Sequence, residues 1–393
     1  MSLLLSYYAD DFTGATDSLE VLARNGFETM LFLQAPSPEF LRDRYPNLMC
    51  FGVAGVSRAM TPTEMELELK PILQAISEHQ APIMHYKICS TCDSSAKMGS
   101  IGKVIDMAKD IYPTQGIPLL AAAPSLKRYT IFGNHFAHSS GKTYRLDRHP
   151  VMAKHPATPM REGDLMKHFA EQTSSSFGLI DCTDLDFHTQ DGLVQLYQEK
   201  CVEAEVVILD ALHDQHMLQI GNLFARLSSK ESRFIVGSSG VQYALTSYWQ
   251  KSIHRDYHAE YPLSVGKAEN IIVLSGSCSP VTSDQIKWAL DLGFHGIQLP
   301  VASLLNPQLA VSAIDDVIKE ACQVIEQGKS IILYSALETK DIITDTSKIS
   351  QILGEHIGRI AKRLIFQTKT RRFVFAGGDT SGFATRELGI YGL

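Results

Sequence analysis

Short apolar runs alternate along this chain with longer stretches of helical period. Leu3–Tyr8, Val206–Leu209, Phe234–Val236, Ile271–Leu274, Ile331–Tyr334 and Phe373–Ala376 are apolar nearly throughout. A strand that is apolar on both faces belongs in a sheet covered on both sides, and strands that alternate with helices pair in parallel through crossovers. The expected fold class is α/β, with two domains, each a mainly parallel sheet flanked by helices. The polar and aromatic stretch Tyr248 to Asn270 has no clear period and separates two well-formed α/β patterns. It divides the chain into a first domain at 1–247, a linker at 248–267 and a second domain at 268–393.

Helix ends are legible in the same pattern. Thr61-Pro-Thr-Glu64 and Thr282-Ser-Asp-Gln285 read as capping boxes, the first with proline at the first helical position. Asn25-Gly26 closes the first helix with a left-handed glycine, and that helix sets its apolar stripe at Ala15, Leu19, Leu22 and Ala23. Gly389 ends the last helix, whose apolar side is Ala384 and Leu388.

Composition narrows the function classes. The chain has 393 residues, 45% hydrophobic and 20% charged, long enough to bury a large core without staples. A net charge of −7 carries no electrostatic footprint for nucleic acid. No apolar run approaches the roughly 20 residues of a membrane-spanning helix, and Met1–Tyr8 lacks the basic start and small-residue cleavage site of a signal peptide. Seven irregularly spaced cysteines favour free thiols in a reducing, cytoplasmic compartment. Cys89-Ser-Thr-Cys92 has no second ligand pair at finger-like spacing and reads as small residues at a strand end. His135, His138, His149 and His155 match no compact metal site.

Several loops carry candidate chemistry. Each follows an apolar run, where a parallel sheet presents its ligand crevice. Asp10-Asp11-Phe-Thr13-Gly14 follows the first run. Two adjacent carboxylates there accept a hydroxyl proton or hold a metal, although one of them also serves as a helix cap. Arg58, after Phe51–Val56, suits bidentate recognition of a carboxylate. Lys87, with Ser90, Thr91 and Asp93 behind it, joins a cation for carboxylate or phosphate to hydroxyls and an acid. In the second half, Gly276-Ser277-Cys278-Ser279-Pro280 and Gly377-Gly378-Asp379-Thr380-Ser381-Gly382 each link a strand to a helix through small residues. Such loops let backbone N–H groups approach a phosphate, and Asp379 can hold magnesium or a ribose. Gly237-Ser-Ser-Gly240 repeats the design. None is a Walker A loop or a GxGxxG fingerprint, which counts against a dinucleotide-dependent oxidoreductase.

In this order the motifs resemble the four-carbon acid sugar kinase family, over essentially the whole chain. The resemblance implies ATP-dependent phosphorylation, with Mg2+, of acids such as threonate, erythronate or 3-oxo-tetronate. It assigns Asp10 and Asp11 to catalysis, Thr13, Arg58, Lys87, Ser90, Thr91 and Asp93 to the acid, and Ser277, Ser279, Gly377, Gly378, Asp379 and Thr380 to the nucleotide. Arg58 and Lys87 would clamp the substrate carboxylate. The expected partner is a small sugar acid, without nucleic acid or membrane, and a homodimer is the general expectation for a soluble assembly. Two departures stand out. Lys87-Ile-Cys89-Ser-Thr replaces the Lys-x-Asp-Ser-Thr of many members, which points to a separate subgroup. Members also usually continue beyond the Gly-Gly-Asp-Thr helix into another strand and nucleotide loop, whereas this sequence ends at Leu393. A sugar-acid-binding form with an impaired nucleotide site is therefore the alternative reading.

Overall fold

The computed structural model describes residues 3–112, 115–155, 158–229, 231–252, 266–277, 279–337 and 347–393. The described residues up to 252, together with Gly392 and Leu393, form one compact unit, and those from 266 to 391 form a second.

The first unit contains β1 (Leu5–Ala9), β2 (Thr29–Phe32), β3 (Cys50–Ala54), β4 (Ile83–Lys87), β5 (Ile117–Leu120), β6 (Arg128–Ile131), β7 (Asn134–Ser139), β8 (Lys142–Arg145), β9 (Phe177–Ile180), β10 (Val206–Leu209) and β11 (Arg233–Gly237). Eight of these make one parallel sheet in the order β2-β3-β1-β4-β11-β5-β10-β9. Its central strands β1, β3 and β4 are buried along their whole length, as apolar-throughout strands covered on both faces should be. The remaining three, β6-β7-β8, form a separate antiparallel meander.

The meander has no counterpart in the apolar pattern. On β7 the inward positions are His135 and Ala137, so its two-residue period is written in small and polar side chains. At the other sheet edge, Leu393 donates its N–H to the Leu31 carbonyl (2.7 Å) and accepts from the Leu31 N–H (2.9 Å), which joins the last two residues to β2.

The second unit contains β12 (Ile272–Ser275), β13 (His295–Gln298), β14 (Ile331–Tyr334) and β15 (Phe373–Ala376), parallel in the order β13-β14-β12-β15. The helices Ala310–Glu326 and Ser347–Gln367 cover it, and their Ile314, Val317, Ile318, Ile357, Ile360 and Leu364 build a core of its own.

Several caps are as the sequence predicts. Thr61 and Glu64 form a reciprocal capping box, and Gly26 and Gly389 have φ of +83° and +69°. Two details differ. The helix Pro280–Asp291 is capped by Ser279, whose Oγ accepts the Thr282 N–H (3.3 Å), and not by Thr282. Proline suits only the first turn, so Pro280 sets the start three residues earlier. In the helix Phe12–Arg24 the buried face is Gly14, Ala15, Ser18, Val21 and Leu22, which leaves Leu19 and Ala23 half-buried. Among the described residues no helix is long and apolar enough to cross a membrane.

Candidate active site

The carboxyl ends of β1, β3 and β4 lie side by side, and the loops that leave them bring together residues far apart in sequence. Backbone bonds continue the ladder past the strands. The Asp10 N–H donates to the Lys87 carbonyl (2.9 Å), and the Arg58 N–H donates to the Asp10 carbonyl (3.1 Å). Asp10 and Arg58 are thereby held in a fixed relation before their side chains meet.

The side chains then close a tight array. Arg58 Nε and Nη2 donate to Asp10 Oδ2 and Oδ1 (3.1 and 2.8 Å), and Nη1 donates to Asp11 Oδ2 (3.0 Å). This fork satisfies both oxygens of a carboxylate that is only 3% exposed, as a buried charge requires. Burial pushes the Asp10 carboxyl up from its ordinary value, against the pull of Arg58 and with a smaller upward contribution from Asp11. Burial disfavours the Arg58 charge, but Asp10, Cys89 and Asp11 together hold its pKa well above the usual value. Beneath Arg58, Ser57 Oγ is hydrogen-bonded to the Tyr86 hydroxyl (2.8 Å).

Asp11 has two tasks. Its Oδ1 accepts the Gly14 N–H (2.8 Å), which caps the helix Phe12–Arg24, while Oδ2 faces Arg58. Its side chain is 17% exposed against 4% for Asp10, so Asp11 is the more accessible carboxylate. Thr13 is exposed on the first turn of that helix. Lys87 is buried, with Nζ donating to the Ile88 carbonyl (3.0 Å) and lying 3.9 Å from Asp17 Oδ2. Gly14 makes this packing feasible: a Cβ there would stand 2.6 Å from Asp11 Oδ1 and 2.8 Å from Lys87 Nζ.

The loop after β4 is folded on itself. Thr91 Oγ1 donates to Asp93 Oδ1 (2.6 Å) and is in turn 2.9 Å from Cys89 Sγ. Burial, then Asp93, pushes the Cys89 thiol up to about 11, and burial pushes Cys92 up as well. Neutral thiols are poor nucleophiles, and Cys92 is fully buried.

Arg58 has five N–H groups, and three face Asp10 and Asp11, which leaves one on each terminal nitrogen. The array can therefore still receive an outside carboxylate. Both the Asp10 and the Asp11 carboxylate accept from Arg58.

In the second unit the two glycine-rich loops leave the adjacent strands β12 and β15, and the Gly276 N–H donates to the Ala376 carbonyl (3.1 Å). Gly377 has φ of +117°, and a Cβ on it would lie 3.2 Å from the Ser277 nitrogen. One on Gly276 would collide with Thr380 Oγ1. The missing side chains leave a strip of backbone between two helix starts, Pro280–Asp291 and Gly378–Glu387, which is suited to phosphate. Ser277 Oγ and Thr282 Oγ1 share a hydrogen bond (3.0 Å) at its rim. Ser275 Oγ and Ser335 Oγ are buried there without a partner among the described residues. The Asp379 side chain and Cys278 lie outside the described residues.

Residues 5–245 match the family model of a sugar-binding N-terminal domain, and residues 272–393 match that of a nucleotide-binding C-terminal domain. The chain belongs to the four-carbon acid sugar kinase family. As a four-carbon acid sugar kinase it is an ATP-dependent phosphotransferase that acts on a small molecule. A 3-oxo-isoapionate kinase of Paraburkholderia graminis is 38% identical over 400 residues, spanning 99% of this chain and 84% of that protein. A 3-oxo-tetronate kinase of Pectobacterium atrosepticum is 27% identical over 398 residues, spanning 98% and 88%. A solved structure from Salmonella typhimurium LT2 has the same fold, with a TM-score of 0.79 at 24% identity over 99% of this chain and 89% of that one.

For this kinase, sequence reasoning overlooked the residues behind the loop that follows β4. His135 Nε2 faces the Ser90 carbonyl (2.7 Å), while His168 Nε2 and Gln172 Nε2 both meet Ser94 Oγ (3.1 and 2.9 Å). Of these, only His135 belongs to the histidine cluster that the sequence offers as a metal candidate; His168 and Gln172 carry no signal in the apolar pattern. Elsewhere, Asp186, His213 and His216 approach one another closely enough to hold an ion. The Leu212 N–H, however, donates to His216 Nδ1 (3.3 Å), so Nε2 carries the ring proton and donates it to Asp186 Oδ1 (3.0 Å).

Proposed function

We propose that this kinase phosphorylates a hydroxyl of an oxidised sugar acid of the 3-oxo-isoapionate or 3-oxo-tetronate type. The observation that carries the reading is the Asp10–Arg58–Asp11 array at the end of β1, next to buried Lys87. The two outward N–H groups of Arg58 receive the substrate carboxylate, and Lys87 supplies the second positive charge. Thr13, Ser90, Thr91 and Asp93 offer hydroxyls and a carboxylate to the rest of the acid. Asp11, the more accessible carboxylate, orients the acceptor hydroxyl and takes its proton as that oxygen bonds to the γ-phosphorus. The bond from that phosphorus to the β–γ bridging oxygen breaks, and ADP leaves. Transfer of this kind is mostly positioning and charge neutralisation.

Ser277, Ser279, Gly377, Gly378, Asp379 and Thr380 form the proposed nucleotide site, where backbone N–H groups face the phosphates. Mg2+ bound to ATP would supply the charge neutralisation that those phosphates need. The 38% identity to a 3-oxo-isoapionate kinase favours that acid within the class. A cytoplasmic homodimer is the proposed setting.

The test is ADP release with Mg-ATP and a panel of 3-oxo-isoapionate, 3-oxo-tetronate, threonate and erythronate. One acid should support turnover well above the others. Asp11→Asn should lower kcat by about 10²-fold or more, the range of a positioned base. ADP release that ignores every acid, or an Asp11→Asn enzyme as fast as the wild type, would sink the reading.

A further inference from the structure

The loop after β4 does not stand by itself, and its support comes from the antiparallel meander. That meander is pinned to the main sheet beyond the end of β10. Thr130 and Ala211 exchange backbone hydrogen bonds (3.2 and 3.1 Å). The buried Asp210 carboxylate accepts the Phe132 and Gly133 N–H groups at the β6–β7 turn. The other side of the hairpin is tied as well, since the His135 N–H donates to the Gly163 carbonyl (2.8 Å) and the Leu165 N–H donates to the Gly133 carbonyl (2.9 Å).

From this anchored hairpin one side chain reaches the substrate loop. His135 is fully buried on β7, with Nδ1 2.9 Å from Thr130 Oγ1 and Nε2 2.7 Å from the Ser90 carbonyl. A carbonyl only accepts, so the ring proton is on Nε2, and Nδ1 accepts from the Thr130 hydroxyl. Burial pulls the His135 pKa down to about 4, which keeps this neutral tautomer through the physiological range. Ser90, Thr91 and Asp93 lie within six residues of Lys87 on one short segment. The bond to Ser90 is the point at which the meander grips that segment.

We propose that His135 is a positioning residue for the sugar acid: through its Nε2–H to the Ser90 carbonyl, it holds the substrate loop in register with Lys87 and Arg58. The inference rests on the assignment of Ser90, Thr91 and Asp93 to the acid under the proposed function. His135 itself touches no substrate.

The experiment compares wild type, His135→Leu and His135→Gln in turnover and in hydrogen exchange across residues 88–95. Loss of a buried hydrogen bond on this scale predicts that His135→Leu raises the KM for the acid about tenfold or more while the KM for ATP holds. Glutamine keeps a donor for Ser90 and an acceptor for Thr130, and should return the acid KM to within about threefold of wild type. Amide protection across 88–95 should fall in His135→Leu and recover in His135→Gln, a readout that needs no turnover. An acid KM and loop protection unchanged in His135→Leu would overturn the proposal, as would KM values for acid and ATP that rise together in both variants. If His135→Leu fails to fold, Thr130→Val removes the orienting hydroxyl and must show the same one-sided rise. A wild type without turnover on any acid would be a failure of the proposed function, and the loop-protection arm would still decide whether His135 is a brace.

Discussion

Asp10, Asp11, Arg58 and Lys87 are recognisable in the sequence as charged residues after apolar runs, but their pairing is not. Arg58 was expected to clamp the substrate carboxylate. In the fold it donates three of its five N–H groups to two carboxylates of its own protein. Gly14 shows the same economy of space. A methyl there would displace Asp11 or Lys87, so Gly14→Ala should lower kcat/KM for the acid about tenfold or more with little effect on ATP binding. Titration calorimetry with Mg-ATP, beside steady-state rates, checks both halves. His85 gives a second residue-scale prediction. Its Nε2 faces the Gly237 carbonyl (2.9 Å) and its Nδ1 faces Gln242 Nε2 (2.8 Å), and burial pulls its pKa down to about 3. An unfolded histidine titrates near 6.5 and so takes up the proton first as pH falls. The stability that His85 contributes is therefore complete above about pH 6.5 and declines toward pH 3, by about 1.4 kcal/mol per pH unit. His85→Gln should flatten the pH dependence of urea unfolding between pH 7 and 5 by about that slope, and an unchanged slope would refute it.

At the scale of elements, strands were more legible than caps, and parallel strands more than antiparallel ones. Val206–Leu209, Ile331–Tyr334 and Phe373–Ala376 are strands with the limits the apolar pattern predicts; the first two are buried along nearly their whole length, as uninterrupted apolar strands covered on both faces should be, whereas Phe373–Ala376 is at the sheet edge and exposes Val374. The meander escaped because its pairing satisfies the backbone while its side chains remain mixed, as in Lys142–Arg145, where Lys142 and Thr143 are exposed. The glycine-rich loops were legible as loops, but their contact was not. Gly276 and Gly377 are 101 positions apart in sequence and adjoin through Thr380 and Ser277. Gly377 combines φ of +117° with this close approach, so Gly377→Ala strains the backbone and fills the strip at once. It should weaken Mg-ATP binding about tenfold or more and leave acid binding within error, as calorimetric titration of each ligand will tell.

For the whole molecule, the two sheets have separate cores, the first around Phe51, Val53, Met84 and Val236, the second around Ile272, Leu333, Ile357 and Leu364. Leu364 is fully buried in the second. Leu364→Ala should cost that unit about 2–5 kcal/mol and lower the melting of the second unit while acid binding at low temperature persists. Scanning calorimetry with acid titration tests this, and an equal loss from both units would count against separate cores. The sequence by itself determined what depends on local period and local chemistry: two α/β sheets, most helix ends, and the loops rich in charge or glycine. These follow from the fixed spacing of side chains on strands and helices and from the conformational range of glycine and proline. Only the tertiary structure decided which charges neutralise one another, that a histidine from an unanticipated meander supports the Ser90 carbonyl, and that two distant glycines share one surface. These depend on strand order, and residues brought together across crossovers have no fixed separation along the chain for a pattern to record.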